Sequence, residues 1–142
     1  MVHALKEIWR VLVPGGHLLD LRPVSANWPV EIVAGERVMR AGALDDSLAL
    51  SDDLAANRAV AQMVSEGRFT RERAGSFTYD WYWHTLDELK EHVEERWHPI
   101  ALPDSVYAQA RRWLRGVEGA SVRVRVEVIV ARYRKRALDG WR

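Results

Sequence analysis

Residues 4–19 read ALKEIWRVLVPGGHLL and predict a helix, a break and a strand in direct succession. The apolar side chains recur at the spacing of one helical face, and they are Leu5, Ile8, Trp9 and Leu12. A helix over residues 2–13 ends at Pro14, because the residue before a proline avoids the helical conformation. Gly15-Gly16 then favour a tight turn. The apolar run His17–Leu21 that follows predicts a short strand buried on both faces.

Downstream of this stretch, strand and helix patterns alternate to the end of the chain. In order, we predict a hairpin at 29–41, a helix at 52–66, an aromatic strand at 77–84, a helix at 85–97, a helix from about 103 to 116 and a strand at about 121–134. Arginines alternate with valines at the start of the last strand, so we expect that part to be half solvated. The order predicts an α/β fold with helices on the sheet faces and right-handed crossovers between parallel strands. We expect one domain over residues 1–142.

Composition and charge exclude several classes of protein. The chain has 142 residues with 21 Lys+Arg and 20 Asp+Glu, and a net charge of +1 gives no general attraction to nucleic acid or to an acidic membrane. Cysteine is absent, which excludes disulfides, thiolate metal sites and cysteine nucleophiles. The apolar runs are too short to span a bilayer, and the first residues have a mixed-charge helical pattern unlike a signal peptide. We therefore expect a cytoplasmic protein with no membrane and no nucleic-acid partner.

Motif searches leave the chemistry unassigned. The histidines do not fall into an H-E-x-x-H motif, so no metal ligand is predicted. A G-x-S-x-G motif is also absent, which leaves a serine hydrolase without support. No catalytic residue is assigned from the sequence.

The stretch 4–19 resembles the part of class I S-adenosylmethionine-dependent methyltransferases that leads into their fifth strand. The family pattern is approximately aL-x-E-x-x-R-v-L-x-P-G-G-x-l, and each landmark is present, from Ala4 to Leu18. The layout downstream is similar too, with an aromatic strand, a helix opening with the capping box of Thr85 and Glu88, and a long last strand. The resemblance implies a partial Rossmann-like methyltransferase sheet. That sheet would be mixed, with an antiparallel C-terminal strand pair and flanking helices.

The features that hold the methyl donor in that family are missing from this sequence. In the family, the donor lies over the first four strands, where a Gly-rich loop and an acidic residue contact it. The chain contains no G-x-G, and no strand–Gly loop–helix unit precedes Gly16. The resemblance therefore implies the C-terminal half of such an enzyme, with no cofactor-binding residue of its own. S-adenosylmethionine is expected to bind only when the missing half is supplied.

The same resemblance predicts an incomplete sheet and a partner. In the family, the fifth strand lies between the fourth strand and the last strand. Without a fourth strand, one edge of His17–Leu21 is left unpaired, and unpaired apolar edges associate with other chains. Either the hairpin at 29–41 folds over that edge or a second chain adds to it. We expect a homodimer or a complementing chain that carries the N-terminal half.

Arg22 and Trp28 are candidates for the acceptor side of a site. Arg22 follows the predicted strand, at the end where open α/β sheets bind ligands, and is a candidate to hold an anion. The alternative for Arg22 is a solvated arginine or an ion pair with Asp20 or Glu31. Trp28 is assigned to the acceptor-side wall from its position alone.

The aromatic strand supplies the other candidates. Tyr79, Trp81 and Trp83 share one face with Phe77, which predicts either the floor of a pocket or a face packed under a helix. His84 lies on the opposite face with Asp80. That pair predicts acid–base chemistry or, alternatively, the surface end of a strand.

Two functions from different classes follow. In the first, the chain is the C-terminal part of a methyltransferase, inactive alone and completed by a second chain or a missing N-terminal half. In the second, it is a methyltransferase-like binding or dimerisation module with an aromatic pocket and no enzymatic activity. Whether the chain is part of an enzyme is left open at this point, because a fold does not by itself determine a function.

Overall fold

The computed structural model describes residues 1–137, which form four helices and five strands. The elements are α1 (Val2–Val11), β1 (His17–Pro23), β2 (Pro29–Ala34), β3 (Arg37–Ala43), α2 (Leu50–Ser65), β4 (Phe69–Trp83), α3 (Leu86–Arg96), α4 (Asp104–Leu114) and β5 (Ser121–Lys135). The α/β class is confirmed, as an open sheet with antiparallel pairing and flanking helices. The chain divides into two compact units. The expectation of one domain over residues 1–142 stays a prediction.

Strand β5 is the strand around which the others pair. The order is β1-β5-β2-β3, and β4 also pairs with β5. The C-terminal part of β5 runs antiparallel to β1, from His17 opposite Arg134 to Pro23 opposite Val128. Its N-terminal part runs antiparallel to β2. The prediction of parallel neighbours is wrong for these pairs, because the chain returns along β5 in the direction opposite to β1 and β2.

The first unit contains residues 1–23, 51–77 and 128 onward. Its core is a cluster of buried side chains from both helices and from β4 and β5, namely Leu5, Ala59, Met63, Phe69, Ala131 and Tyr133. Leu18 and the apolar face of α1 pack against this cluster. The helical spacing read from residues 4–19 therefore describes a real packing surface.

The Gly15-Gly16 turn fixes α1 against the end of β5. Gly15 donates its N–H to the carbonyl of Lys135, and Lys135 donates back to Gly16. Gly15 has a φ of 75°, which favours glycine, and a Cβ on Gly16 would lie 2.9 Å from the carbonyl oxygen of Val13. The Lys135 ammonium also reaches the carbonyl of Leu12 at 2.6 Å. Both glycines are thus required by the geometry of the helix-to-strand connection.

The second unit contains residues 24–50 and 78–127. The β2–β3 hairpin forms as predicted at 29–41, with the turn at Gly35. Helix α3 opens with the predicted capping box, in which Glu88 donates its backbone N–H to the Thr85 hydroxyl. The buried side chains of this unit come from the hairpin, both helices and the start of β5, and they include Val30, Ile32, Leu89, Val93, Val122 and Val124.

Strand β1 has one exposed face, which was not predicted, and one unpaired edge, which was. His17–Leu21 is not buried on both faces, since Leu19 is 66% exposed and Leu21 is 60% exposed. The reason is that helices cover only the face that carries Leu18. Among residues 1–137, β1 pairs with β5 on one side and with no strand on the other. Among the described strands, those of the β2–β3 hairpin pair with each other and with β5, and none of them pairs with β1.

Strands β4 and β5 differ from their predicted limits and burial. β4 begins at Phe69, well before the predicted start at residue 77, because its first part is a charged strand exposed on most positions. At the start of β5 the half-solvated pattern holds for Arg125 and Glu127, which are exposed between buried valines, and fails for Arg123, which is buried. Arg123 is buried there because Glu31 on β2 lies directly opposite and forms an ion pair with it.

Candidate functional site

The first unit contains an open cleft of about 920 Å³. It is bounded by α2, the first part of β4, the last part of β5 and the end of β1. Its apolar wall includes Val60, Val64, Phe69, Ile129 and Ala131. A cleft of this size with an apolar wall and a few polar groups is the usual form of a small-molecule site. We therefore treat it as the candidate functional site.

Arg22 lies in this cleft, held by its neighbours. Its guanidinium forms a two-point ion pair with Asp20, with Nε–Oδ1 at 2.7 Å and Nη2–Oδ2 at 2.9 Å. Nη2 also donates to Asn57 Oδ1 on α2 at 3.1 Å. The structure thus contains the ion pair between Arg22 and Asp20 that was the alternative interpretation of Arg22. Arg22 thus lines the cleft as part of an ion pair.

Tyr133 brings a hydroxyl group to the same cleft. The residue is 7% exposed and lines the cleft, and its hydroxyl is not among the sealed polar atoms of residues 1–137 that lack a partner. Burial raises the pKa of Tyr133, and the negative charge of Asp20 acts in the same direction, while Arg71 and Arg22 oppose it. The hydroxyl therefore keeps its proton at neutral pH and can donate it to an acceptor.

The charge around the cleft is positive. Arg22, Arg71 and Arg136 line it, against the single carboxylate of Asp20. Asp20 is neutralised by Arg22. Arg71 and Arg136 form no ion pair with any residue in the described part of the chain. The lining thus combines mostly apolar side chains with two arginines that have no ion pair among residues 1–137.

Three residues of the predicted aromatic face, Tyr79, Trp81 and Trp83, lie in the second unit, where the two tryptophans contact His92 of α3 and Trp97, the residue that follows α3. Trp81 and Trp83 stack with centroids 6.1 Å apart, and both contact Trp97 edge-on at 5.8 and 5.7 Å. Tyr79 meets Trp81 edge-on at 5.5 Å and remains half exposed. The alternative of a strand face packed under a helix describes Trp81 and Trp83 better than a pocket floor does.

Trp28 belongs to the interior of the same unit. It is buried, it packs edge-on against Trp97 at 5.2 Å, and its indole N–H donates to the carbonyl of Val24 at 2.7 Å. A buried tryptophan with its polar atom satisfied stabilises the fold. Trp28 therefore lies apart from any open surface of its unit.

His84 and Asp80 are not brought together. The Asp80 carboxylate binds Arg125, with Nε–Oδ1 at 3.0 Å, and lies 3.7 Å from Arg123 Nη1. His84 is exposed beside a smaller cleft of about 340 Å³, and its backbone N–H donates to Glu88.

Arg123, the other arginine near Asp80, has a raised pKa. Burial acts to lower this pKa, but the hydrogen bonds of Arg123 to Tyr82 and Glu31 outweigh burial. Asp80 thus belongs to an arginine network.

His92 on α3 is a buried polar group that the sequence did not single out. Its ring contacts Trp97, Trp81 and Trp83 at 4.8, 5.2 and 5.3 Å, and its Nε2 is buried without a hydrogen-bond partner. Burial lowers the pKa of His92, Arg96 lowers it further, and Glu95 opposes the shift. The neutral ring is therefore the form that fits between the tryptophans.

Because the folded protein binds a proton at His92 less readily than the unfolded chain, stability should fall as the pH drops below about 6.5, the usual pKa of histidine. His92→Leu is expected to remove this fall in stability at acidic pH. His3→Gln, at an exposed position of α1, should leave the fall unchanged. Urea unfolding between neutral and mildly acidic pH measures both. A pKa of His92 above its usual value in NMR titration would show that the tryptophans stabilise the charged ring instead.

Comparison of the chain with family models, with curated proteins and with solved structures finds no match in any of the three. Among the described residues, no group of three or more His, Asp or Glu side chains is placed to hold a metal ion. None of the helices in residues 1–137 is long and apolar enough to cross a membrane.

The structure thus brings one predicted site residue, Arg22, into a cleft and leaves the others elsewhere. Sequence reasoning missed Asn57, Arg71 and Tyr133, because they come from three elements far apart in the chain. A partial signal existed for Tyr133, which lies in the last strand on the face that alternates with arginines. Nothing local distinguishes Asn57 from other polar residues of an exposed helix.

Proposed function

We propose that this chain is the C-terminal part of a class I methyltransferase, and that it acts in methyl transfer only when completed by a half that binds the methyl donor. The observation that carries the proposal is the open edge of β1. The segment that resembles the family leads into β1, β1 pairs on one side with the long last strand, and its other side is the place where the family has its fourth strand.

The exposed face of β1 supports the same proposal. Leu19 and Leu21 lie on the face that no helix of the first unit covers, beside the unpaired edge. A sheet edge with an apolar face next to it is a surface that a strand and a covering helix from another segment would bury. Burial of two leucine side chains contributes about 1.5–3 kcal/mol each, in addition to the backbone hydrogen bonds of a new strand pair.

The chain's own part in the reaction would be to hold the acceptor. Methyl transfer depends on keeping donor and acceptor in line, so a half without the donor site loses that alignment and should be inactive alone. Arg22 and the cleft it lines are the acceptor-side group that best fits this role. No donor-binding residue is assigned to this chain, because it contains no Gly-rich loop between a strand and a helix.

The alternative of a binding module with an aromatic pocket gains less support. Trp81, Trp83 and Trp97 contact one another and His92, so these rings already have partners within the protein. Of the predicted aromatic surface, Phe77, Tyr79 and part of Trp81 are exposed, at 46%, 52% and 38%.

The proposal is tested by capture of the partner from the source cells with a tagged chain. The wild type is expected to retain a protein that itself binds S-adenosylmethionine, and the double variant Leu19→Lys/Leu21→Lys should lose it, because charged residues prevent strand addition at an edge. Leu48→Lys is the matched control, since Leu48 is 72% exposed but lies in the second unit.

Two results would contradict the proposal. One is retention of the same proteins by the wild type and by the Leu19→Lys/Leu21→Lys variant. The other is a homodimer, seen by light scattering, that excludes every donor-binding partner and is broken by the same double variant. That second result would favour the dimerisation module.

A further inference from the structure

We propose that the cleft of the first unit binds an amphipathic organic anion, a carboxylate with an apolar chain or ring, and that Tyr133 and Arg71 hold its head group. This ligand site does not depend on methyl transfer. It would exist in the module as well as in a completed enzyme, because every residue that lines it belongs to the same unit of this chain.

The Tyr133 hydroxyl is the first argument. A tyrosine has an apolar ring and a polar tip, so its hydroxyl can bind a ligand where it reaches a cleft. Here the residue as a whole is 93% buried and lines the cleft, and its hydroxyl is not among the sealed polar atoms of residues 1–137 that lack a partner, so the hydroxyl is open to the cleft. A protonated hydroxyl that is open to a cleft indicates a position for an acceptor atom of a ligand.

The sign of the charge is the second argument. A ligand near Tyr133 meets Asp20, Arg22 and Arg71, the three charged groups whose fields act on the Tyr133 hydroxyl. Asp20 and Arg22 neutralise each other through two short hydrogen bonds, so the charge that remains is that of Arg71. Arg136 adds a second positive charge to the lining. A carboxylate satisfies both the guanidinium and the phenol, whereas an ammonium group would be repelled.

The wall of the cleft supplies the third argument. Val60, Val64 and Phe69 line it on the side of α2 and the start of β4, and Ile129 and Ala131 line it on the side of β5. An apolar body gains about 25 cal/mol for each Å² that it removes from water against such a wall. A small inorganic anion would leave the apolar wall exposed to water. The structure therefore favours an anion that carries an apolar chain or ring.

The test is titration calorimetry with decanoate, decan-1-ol and decyltrimethylammonium, each below its critical micelle concentration. Decanoate should bind the wild-type chain at one site, and the cationic analogue should bind at least roughly tenfold more weakly because its head group meets Arg71. Tyr133→Phe removes only the hydroxyl and should weaken decanoate roughly tenfold, the usual loss for a hydrogen bond to a charged group. Arg71→Gln should weaken it by a similar factor.

Matched variants separate the cleft from the rest of the surface. Arg73→Gln changes an exposed arginine on the same strand that does not line the cleft, and Leu19→Gln alters the exposed apolar face of β1. Both should bind decanoate as the wild type does. No saturable decanoate binding, equal binding of the cationic analogue, or decanoate affinity unchanged in Tyr133→Phe and Arg71→Gln would overturn the proposal. Absence of decanoate binding is distinguishable from failure of the methyltransferase proposal, because capture of a donor-binding partner tests the open edge of β1 and not the cleft.

Discussion

Replacement of Glu31 by leucine is expected to lower the free energy of unfolding by about 3 kcal/mol, the cost of leaving a buried charge unpaired. Glu31 and Arg123 lie opposite each other on β2 and β5, with Oε2 at 2.7 Å from both Nε and Nη2 of the arginine. Both side chains are about nine-tenths buried. Without Glu31, Arg123 would keep only the longer contact with Asp80, at 3.7 Å, and its hydrogen bond with Tyr82.

The double variant Glu31→Leu/Arg123→Met is the decisive control for this pair. Removing both charges and keeping the volume should restore most of the lost stability, since buried ion pairs are often no better than apolar residues of the same size. Glu36→Gln, at the exposed hairpin turn, should change the unfolding free energy by less than about 0.5 kcal/mol. Denaturant unfolding measures all three. A Glu31→Leu protein as stable as the wild type would mean that Arg123 is solvated.

The second large effect is expected at Gly42, where alanine should cost about 2 kcal/mol through overpacking. An added Cβ would lie 2.5 Å from Val106 Cγ2 on α4, and the φ of 152° is strained for other residues. This glycine lets the hairpin approach α4 closely. Gly75→Ala is the matched control, because a Cβ there meets nothing within 4 Å and should change stability by less than about 0.5 kcal/mol.

The clash at Gly42 is separable from the backbone strain by a double-mutant cycle. In a Val106→Ala background, Gly42→Ala should lose well under half as much stability as in the wild type, because the crowding methyl groups are gone. Thermal or denaturant unfolding of the four proteins gives the coupling. If Gly42→Ala loses the same stability in the wild type and in the Val106→Ala variant, the loss comes from backbone strain alone.

Local patterns in the sequence predict local structure well. The spacing of Leu5 and Ile8 identifies α1, the Thr85–Glu88 pair identifies the start of α3, and Gly35 lies at the turn of the hairpin. Each of these patterns depends on residues that are close together in the sequence, so it can be read without knowledge of the rest of the fold.

Burial and site geometry depend on distant residues, and there the sequence was misleading. The run His17–Leu21 is as apolar as a buried strand, but its burial is set by what covers each face, and one face is open. Arg123 alternates with valines like a solvated residue, yet Glu31 lies 92 positions away in the chain and neutralises it. The cleft gathers Arg22, Asn57 and Tyr133 from three separate elements.

The central claim is that the open edge of β1 marks a missing donor-binding half. The most direct measurement is calorimetric titration of S-adenosylmethionine into the chain alone and into its complex with the captured partner. The account predicts no binding heat for the chain alone and saturable binding at one site for the complex. Saturable binding by the chain alone, or a complex through the β1 edge that binds no donor, would contradict it.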